Sequence, residues 1–393
     1  MIRVTDLVKI YPNGQVRAVD GVSFTVAEGE FYTLLGPSGC GKTTTLRCIA
    51  GLERADGGSI ELDDVAVVAD QVFIPTYRRD IGMVFQSYAV WPHMTVFENV
   101  AFPLRVGGQR MRNETVRDKV EKALTLVGLE QYATRMATQL SGGQQQRLSL
   151  ARAIVREPKV LLLDEPLSNL DAKLRERMRG ELSVIQRRLG VTTLFVTHDQ
   201  IEALSMSDRI AVMDGGRIVQ EGDPREIYLR PANEFVASFI GSTNLFVGEL
   251  DPTPPSRPDR IRIKLEFGTL EAQANEALVA GQPVIVAIRP EDIVMHVADE
   301  PPAVGLDHPN VFDGGVGIGL FIGTSVEYYL DVSDSLIQAR AGSRFQLKRG
   351  DPVRIEIPPH AIRSFTLEGS PKARLGSRRL ATLARLDEAD DAR

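Results

Sequence analysis

The stretch Gly36-Pro-Ser-Gly-Cys-Gly-Lys-Thr-Thr44 decides how this chain is read. The apolar run Phe31 to Leu35 precedes it, and TLRCIAGL follows, where the glycines give way to a helix-compatible segment. Strand, glycine loop and helix are the setting in which G-x-x-x-x-G-K-[ST] cradles phosphate. Gly36, Gly39 and Gly41, with Pro37, Ser38 and Cys40 between them, let the backbone wrap a phosphate chain. Peptide N–H groups and the helix N-terminus then face the negative oxygens. Lys42 adds a positive charge for the β- and γ-phosphates, the Thr43 hydroxyl is placed to ligate Mg²⁺, and Thr44 completes the motif. The expected ligands of the loop are therefore a chain of phosphates and Mg²⁺.

Further apolar or β-branched runs, Val160 to Leu163 and Thr193 to Thr197, read as buried strands. Between them KLRERMRGELSVIQRRLG reads as a helix closed at Gly190. The alternation predicts βαβ units and a parallel sheet. The strand VLLLDE ends in Asp164, placed to hold the metal through water, and Glu165, placed to polarise an attacking water. Polar segments with helical spacing, such as Glu114 to Val127, predict a helical insert over residues 87–156. From about Phe239 the texture shifts to short β-branched runs (Arg260 to Phe267, Val284 to Ile288, Gly315 to Val332, Val353 to Ile357) between Gly and Pro clusters, as in a small β-barrel. DPTPPSRPD and EPPAVGLDHPN read as surface loops. The expected division is 1–240, 241–366 and a charged, mobile tail over 367–393 with at most a short helix around Leu380, Leu383 and Leu386.

LSGGQQQR (Leu140 to Arg147), shortly before the Asp164 strand, makes the chain resemble the ATP-binding-cassette ATPases. The resemblance implies a P-loop α/β cassette with a parallel sheet and helical insert over about residues 1 to 240. Gln86 in MVFQSYAVWPHMTVFENV matches the Q-loop glutamine, a metal and nucleotide contact. SNLD, ending at Asp171, matches the D-loop, and His198 in VTHD the switch histidine at the γ-phosphate. Tyr11 takes the place of the aromatic that stacks on adenine, an interaction of about 1 to 3 kcal/mol. VAIRPEDI, GVGIGLFIGTSVEYYLDV and GDPVRIEIPPHAIRSF look like the all-β OB-like domain of importer ATPases, of the sugar, polyamine, ferric-iron and phosphonate type. The text around WPHMTVFENVAFPL looks closer to the iron, polyamine and phosphonate branches than to the sugar branch.

In that family Ser141, Gly142, Gly143 and Gln144, with Asp171, cap nucleotide held by a second subunit. One Lys42 loop and one signature segment per chain then imply a head-to-tail homodimer. The implied partners are integral membrane permease subunits and, indirectly, a solute-binding receptor, with the chain peripheral on the cytoplasmic face. The segment Ser87 to Val100 matches the permease-docking region, while Trp91 and Phe97 also fit an ordinary core of the insert. The competing class, a soluble cassette ATPase of translation or repair, usually carries two cassettes or a long coiled coil, and neither pattern is present. A regulatory role for the β domain is a further possibility on which its sequence is silent.

Composition agrees with a folded multidomain protein. The 393 residues suggest two or three domains at about 100 to 200 residues each. Hydrophobic residues at 43% and charged residues at 25% exclude disorder, collagen and coiled coil as the main architecture. A net charge of −6 gives no overall attraction to nucleic acid, which is not an expected partner. Cys40 and Cys48 would lie about 12 Å apart on one helix, too far for a disulfide, a usage suited to a reducing cytosol. No signal peptide and no run near the ~20 apolar residues of a membrane span is apparent.

Overall fold

A computed structural model of the chain describes residues 1–11, 16–106, 111–274, 278, 281–297 and 309–366. The chain divides into two units, Met1–Leu229 and Arg230–Arg393. In order, the first unit runs β1 (Ile2–Tyr11), β2 (Val16–Val26), β3 (Phe31–Leu35), α1 (Lys42–Ala50), β4 (Gly57–Leu62), β5 (Val65–Ala69), β6 (Val72–Phe73), β7 (Ile81–Val84), α2 (Val96–Arg105), α3 (Asn113–Leu126) and α4 (Gly142–Ile154). It continues with β8 (Val160–Asp164), α5 (Ala172–Leu189), β9 (Thr192–Thr197), α6 (Gln200–Met206), β10 (Arg209–Asp214), β11 (Arg217–Gly222) and α7 (Pro224–Leu229).

The central sheet has the order β11-β10-β3-β9-β8-β7, and every pairing is parallel except β10 with β11. β3, β8 and β9 are buried along their whole length, which is why they read as unbroken apolar or β-branched runs. Successive side chains leave opposite faces of a strand. Phe31, Leu161, Leu163 and Phe195 accordingly join the core formed with α2 to α5, where Val100, Val120, Leu148 and Met178 lie. Tyr32, Leu34, Leu162 and Val196 join the opposite core with Leu46 and Ile49 of α1 and Ile2 and Val4 of β1. Each such side chain contributes about 1.5 to 3 kcal/mol by leaving water, so both faces anchor the strand ends.

The segment between β7 and β8 is helical, as the spacing predicts, with α2 opened by a capping box between Thr95 and Glu98. α5 closes on Gly190 at φ 60, the left-handed cap expected there. A second, antiparallel sheet, β2-β1-β4-β5-β6, is not anticipated by the βαβ reading. Parts of β1, β2 and β4 alternate buried with more exposed residues, and bulges in β1 blur that alternation in the sequence.

The second unit holds α8 (Glu234–Phe239), β12 (Asn244–Asp251), β13 (Arg260–Leu265), β14 (Gly268–Gln273), β15 (Pro283–Ile288), β16 (Val294–Val297), β17 (Val311–Phe321), β18 (Ser325–Val332), β19 (Ser335–Gly342), β20 (Pro352–Glu356) and β21 (Ile362–Thr366). Two five-stranded sheets, β14-β13-β12-β15-β21 and β16-β20-β17-β18-β19, share one apolar core that includes Ile263, Val286, Leu330 and Ile355. This is the all-β, OB-like unit expected. Gly315 to Val332 is a hairpin and not one run: the chain turns at Gly323, φ 88, one glycine among several that look alike in GVGIGLFIGT. α8 falls in the second unit although the sequence suggests a boundary at 240. Arg289 is the reason: its guanidinium donates to the carbonyls of Ala237 (3.1 Å), Ile240 and Ser242 (3.1 Å) and so caps α8 from β15. Residues 252–259 of DPTPPSRPD contain no helix or strand. Most of EPPAVGLDHPN and the whole of 367–393 lie outside the described residues. Among the described residues no helix is long and apolar enough to cross a membrane.

Candidate functional site

Parallel register builds the site. Leu35 of β3 pairs with Thr197 of β9, Asp164 of β8 with Val196, and Val84 of β7 with Leu163. The carboxyl ends of four strands therefore share one edge, where ligands bind in open α/β sheets. The Gly36 loop leaves β3, Asp164 and Glu165 end β8, His198 ends β9, and Gln86 lies two residues beyond β7.

The loop is shaped by close backbone approach. A Cβ on Gly36 would lie 2.3 Å from the Met213 carbonyl oxygen, and one on Gly41, at φ 103, would lie 2.1 Å from that of Ala18. Only glycine fits either position. Ser38 and Gly39 are exposed at the loop tip, Pro37 is half-buried, and Cys40 is buried, its thiol pushed up by desolvation. Lys42 is 5% exposed and donates to the Gly36 and Pro37 carbonyls at 2.7 and 2.9 Å. Its charge is thereby folded back over the loop it would share with phosphate. Thr43 and Thr44 are half-buried in the first turn of α1. Cys40 precedes α1, and Cys40 and Cys48 are both free thiols.

The Thr43 hydroxyl donates to Asp164 Oδ1 at 3.1 Å. Asp164 is 4% exposed, and burial lifts its carboxyl above the usual range, opposed by that hydrogen bond. Glu165 adopts φ 44 and is locked by its N–H donating to the Val196 carbonyl at 3.0 Å. A left-handed glutamate costs about 1 to 3 kcal/mol and persists only where the surroundings impose it. Here it aims the carboxylate at two groups: Glu165 Oε2 lies 3.1 Å from His198 Nδ1 and accepts from Gln86 Nε2 at 3.4 Å. Gln86 and His198 are exposed, so the cluster faces outward.

Other anticipated residues lie apart from this cluster. Tyr11 ends β1 with Lys9 Nζ 5.5 Å from its ring centroid. Ser141, Gly142, Gly143 and Gln144 form the N-terminus of α4, where the Ser141 N–H donates to Gln144 Oε1 at 2.9 Å. Ser141 and Gly142 are exposed, whereas Gly143 is buried against Leu174. Asp171 caps α5 by accepting from the Leu174 N–H at 3.0 Å. Among the described residues no hydrogen bond or ion pair joins these groups to the Gly36 loop.

Two arginines around the site were not anticipated. Arg175 of α5 donates to the carbonyls of Leu167, Ser168 and Leu170, and its guanidinium faces Asp199 at 3.5 Å and Glu202 at 4.0 Å. It bridges the segment before Asp171 and the turn that carries His198. Glu202 is 2% exposed, accepts from the Thr197 hydroxyl at 2.5 Å, and is lifted by burial. Arg152 of α4 donates to the carbonyls of Tyr88 and Ala89, just beyond Gln86. Arginines in charged helices read as solvated; only the apolar neighbours of Arg152 in LSLARAIV hint at burial.

A profile of the ABC transporter family matches residues 19–168, and one of the TOBE domain matches residues 286–365. The spermidine/putrescine import ATP-binding protein PotA of Mannheimia succiniciproducens is 50% identical over 302 residues, 76% of this chain and 78% of that protein. The chain belongs to the ABC transporter family. The trehalose/maltose import ATP-binding protein MalK of Thermococcus litoralis is also 50% identical to this ABC ATPase, over 296 residues, 74% of this chain and 78% of that one. Among solved structures, a dimeric bacterial ABC transporter cassette aligns with 99% of its length and 57% of this chain, at TM-score 0.51 and 33% identity. A dimeric post-hydrolysis cassette bound to ADP and Pi aligns equally, at TM-score 0.51 and 33% identity. The chain is thus an importer-type ABC ATPase that binds and hydrolyses ATP, its cassette followed by a TOBE domain.

Proposed function

We propose that this ABC ATPase powers polyamine import, two copies closing over ATP on the cytoplasmic face of the membrane to drive a permease that a solute-binding receptor loads. The carrying observation is the meeting of Gln86, Glu165 and His198 beside the Thr43–Asp164 pair, at the end of the strands that flank the glycine loop. In this reading Tyr11 stacks on adenine and residues Gly36 to Thr44 hold the phosphates, with Lys42 swinging from the Gly36 and Pro37 carbonyls to the β- and γ-oxygens. Glu165 takes the proton of the attacking water, and His198 orients both Glu165 and the γ-phosphate. Ser141, Gly142, Gly143, Gln144 and Asp171 complete the site of the other copy. Thr43, Asp164 and Gln86 offer a hydroxyl, a buried carboxylate and an amide, oxygen donors that fit Mg²⁺. When bound, Mg²⁺ supplies charge neutralisation at the β- and γ-phosphates.

Loss of a base costs about 10² to 10⁴ in rate. Glu165→Gln should therefore bind ATP, stop turning over and elute as a dimer on size exclusion, whereas Lys42→Ala should lose ATP. A monomeric Glu165→Gln protein at saturating ATP overturns the assignment. Likeness to PotA supports the polyamine reading; the equal likeness to MalK supports a sugar reading as the second. Co-purification with permease and receptor separates them: spermidine, and not maltose, should bind the receptor and stimulate ATP hydrolysis by the complex.

A further inference from the structure

We propose that Arg152 is a positioning residue that holds the segment after Gln86 in a strained conformation and fastens it to α4, the helix that opens at Ser141. The inference rests on the reading of Gln86 as a nucleotide contact and adds the residue through which its movement reaches the insert.

Tyr88 and Ala89 are consecutive non-glycine residues at φ 60 and 47. Two other such pairs occur, Asp63–Asp64 and Ser333–Asp334, but each is the two-residue turn of a hairpin, β4–β5 and β18–β19, which sets φ > 0 at both positions. Tyr88 and Ala89 belong to no hairpin, so their cost needs another hold. Local bonds supply part of it: the Tyr88 N–H donates to the Phe85 carbonyl at 2.9 Å, and the Ala89 N–H to that of Ser87 at 2.7 Å. Arg152 supplies the rest, one guanidinium donating to both strained residues, at 2.8 Å to the Tyr88 carbonyl and 2.5 Å to that of Ala89.

The guanidinium is itself committed to this task. Arg152 is 8% exposed, and among the described residues no carboxylate pairs with it. A buried charge without a counterion is costly, and the hydrogen bonds of Arg152 to the Tyr88 and Ala89 carbonyls offset part of that cost. The guanidinium also lies over the ring of Trp91, whose centroid is 4.7 Å away, and Trp91 in turn packs on Phe102 at 4.2 Å between centroids. Burial pulls its pKa down to about 10, which leaves it charged at neutral pH. From α2, buried Asn99 grips the far end of the segment: Asn99 Oδ1 accepts from the Trp91 N–H at 2.8 Å, and Asn99 Nδ2 donates to the Trp91 carbonyl at 3.1 Å. The segment is thus held by α4 at Tyr88–Ala89 and by α2 at Trp91. A shift at Gln86 would be passed to both helices.

Trp91 is the only tryptophan, so its emission reads this hold directly in the full-length protein. Nucleotide-free Arg152→Met should show greater acrylamide quenching of Trp91 than wild type. Its Kd for ATP should stay within about two-fold, while kcat falls about tenfold, because the phosphate loop is intact but the segment is no longer set. Arg152→Lys keeps the charge but not the fork that reaches two carbonyls, and should resemble Arg152→Met. Adding Ala89→Gly to Arg152→Met should restore part of kcat, since glycine accepts the left-handed φ without a hold. A purely structural arginine would give a lowered Tm with no such rescue, and that result overturns the proposal. So does unchanged quenching in Arg152→Lys, the milder change. Altered quenching with kcat untouched supports the hold and counts against the Gln86 reading instead.

Discussion

Asp164 shows how a single buried side chain sets a pH dependence. Its carboxyl is lifted above the ordinary range by burial. A carboxyl with a raised folded-state pKa contributes most to stability below its unfolded pKa, and that contribution is lost as pH rises through the folded value. At neutral pH the metal-free protein carries the cost of the buried charge. Asp164→Asn removes that charge but keeps an oxygen that can accept from Thr43, so its Tm without metal at pH 7 should exceed that of wild type. Mg²⁺ affinity should fall about 10- to 100-fold in the same variant. Thermal melts with and without Mg²⁺-ATP check both; a lower metal-free Tm would show that the carboxylate is stabilising as it stands. Lys42, Thr43, Asp164 and Glu165 could be found from the sequence because each sits within a few residues of a strand end. Arg152 could not, since Tyr88 and Ala89 lie far along the chain, and Arg175 could not, since its near partners are backbone carbonyls and its carboxylates, Asp199 and Glu202, lie beyond β9.

The turns after β8 and β9 are joined by α5 through Arg175. Its donors reach the carbonyls of Leu167, Ser168 and Leu170, and its charge faces Asp199 and Glu202, which follow His198. Arg175→Met should free both turns together, lowering kcat by about tenfold with the ATP Kd held within about two-fold. Arg177, two residues on, provides the contrast: it is exposed and pairs with Glu181 at i,i+4. Such pairs contribute about 0.3 to 0.5 kcal/mol, so Arg177→Ala should leave both constants unchanged. Equal effects of the two variants in steady-state assays would remove Arg175 from the site. Of the parallel strands, β3, β8 and β9 were legible because they are buried along their whole length, and α5 because glycine ends it, whereas β7 and β10 were not read as strands. The antiparallel sheet was not legible, since half-exposed, bulged strands dilute the apolar signal, and the β17–β18 hairpin was hidden by its own surplus of glycines.

For the molecule as a whole, no hydrogen bond among the described residues joins the exposed Ser141 and Gly142 to the Gly36 loop of their own chain, as a site completed by a second copy requires. Mixing Ser141→Arg with Lys42→Ala protein creates heterodimers in which one composite site carries both defects and the other none. ATPase activity should partly recover; none, with heterodimers demonstrated, would argue against completion in trans. The division at Leu229 makes a second prediction. A chain ending at Leu229 should hydrolyse ATP and melt more sharply than one ending at Gly241, because the longer one keeps α8 but loses Arg289, its cap. Circular dichroism melts and ATPase assays on the two truncations decide it.

The walls of the phosphate loop come from remote parts of the chain. Gly41 abuts the Ala18 carbonyl, Gly36 that of Met213, and the Gly216 N–H donates to the Cys40 carbonyl at 3.2 Å. The loop can take its shape only after β2 and the β10–β11 hairpin have assembled around it, contacts of long sequence separation that form late. During refolding, helical signal should return first and ATP-binding capacity last. Nucleotide capture then reports a finished cassette, and a nascent chain released before Gly216 would carry the whole motif and hold no ATP.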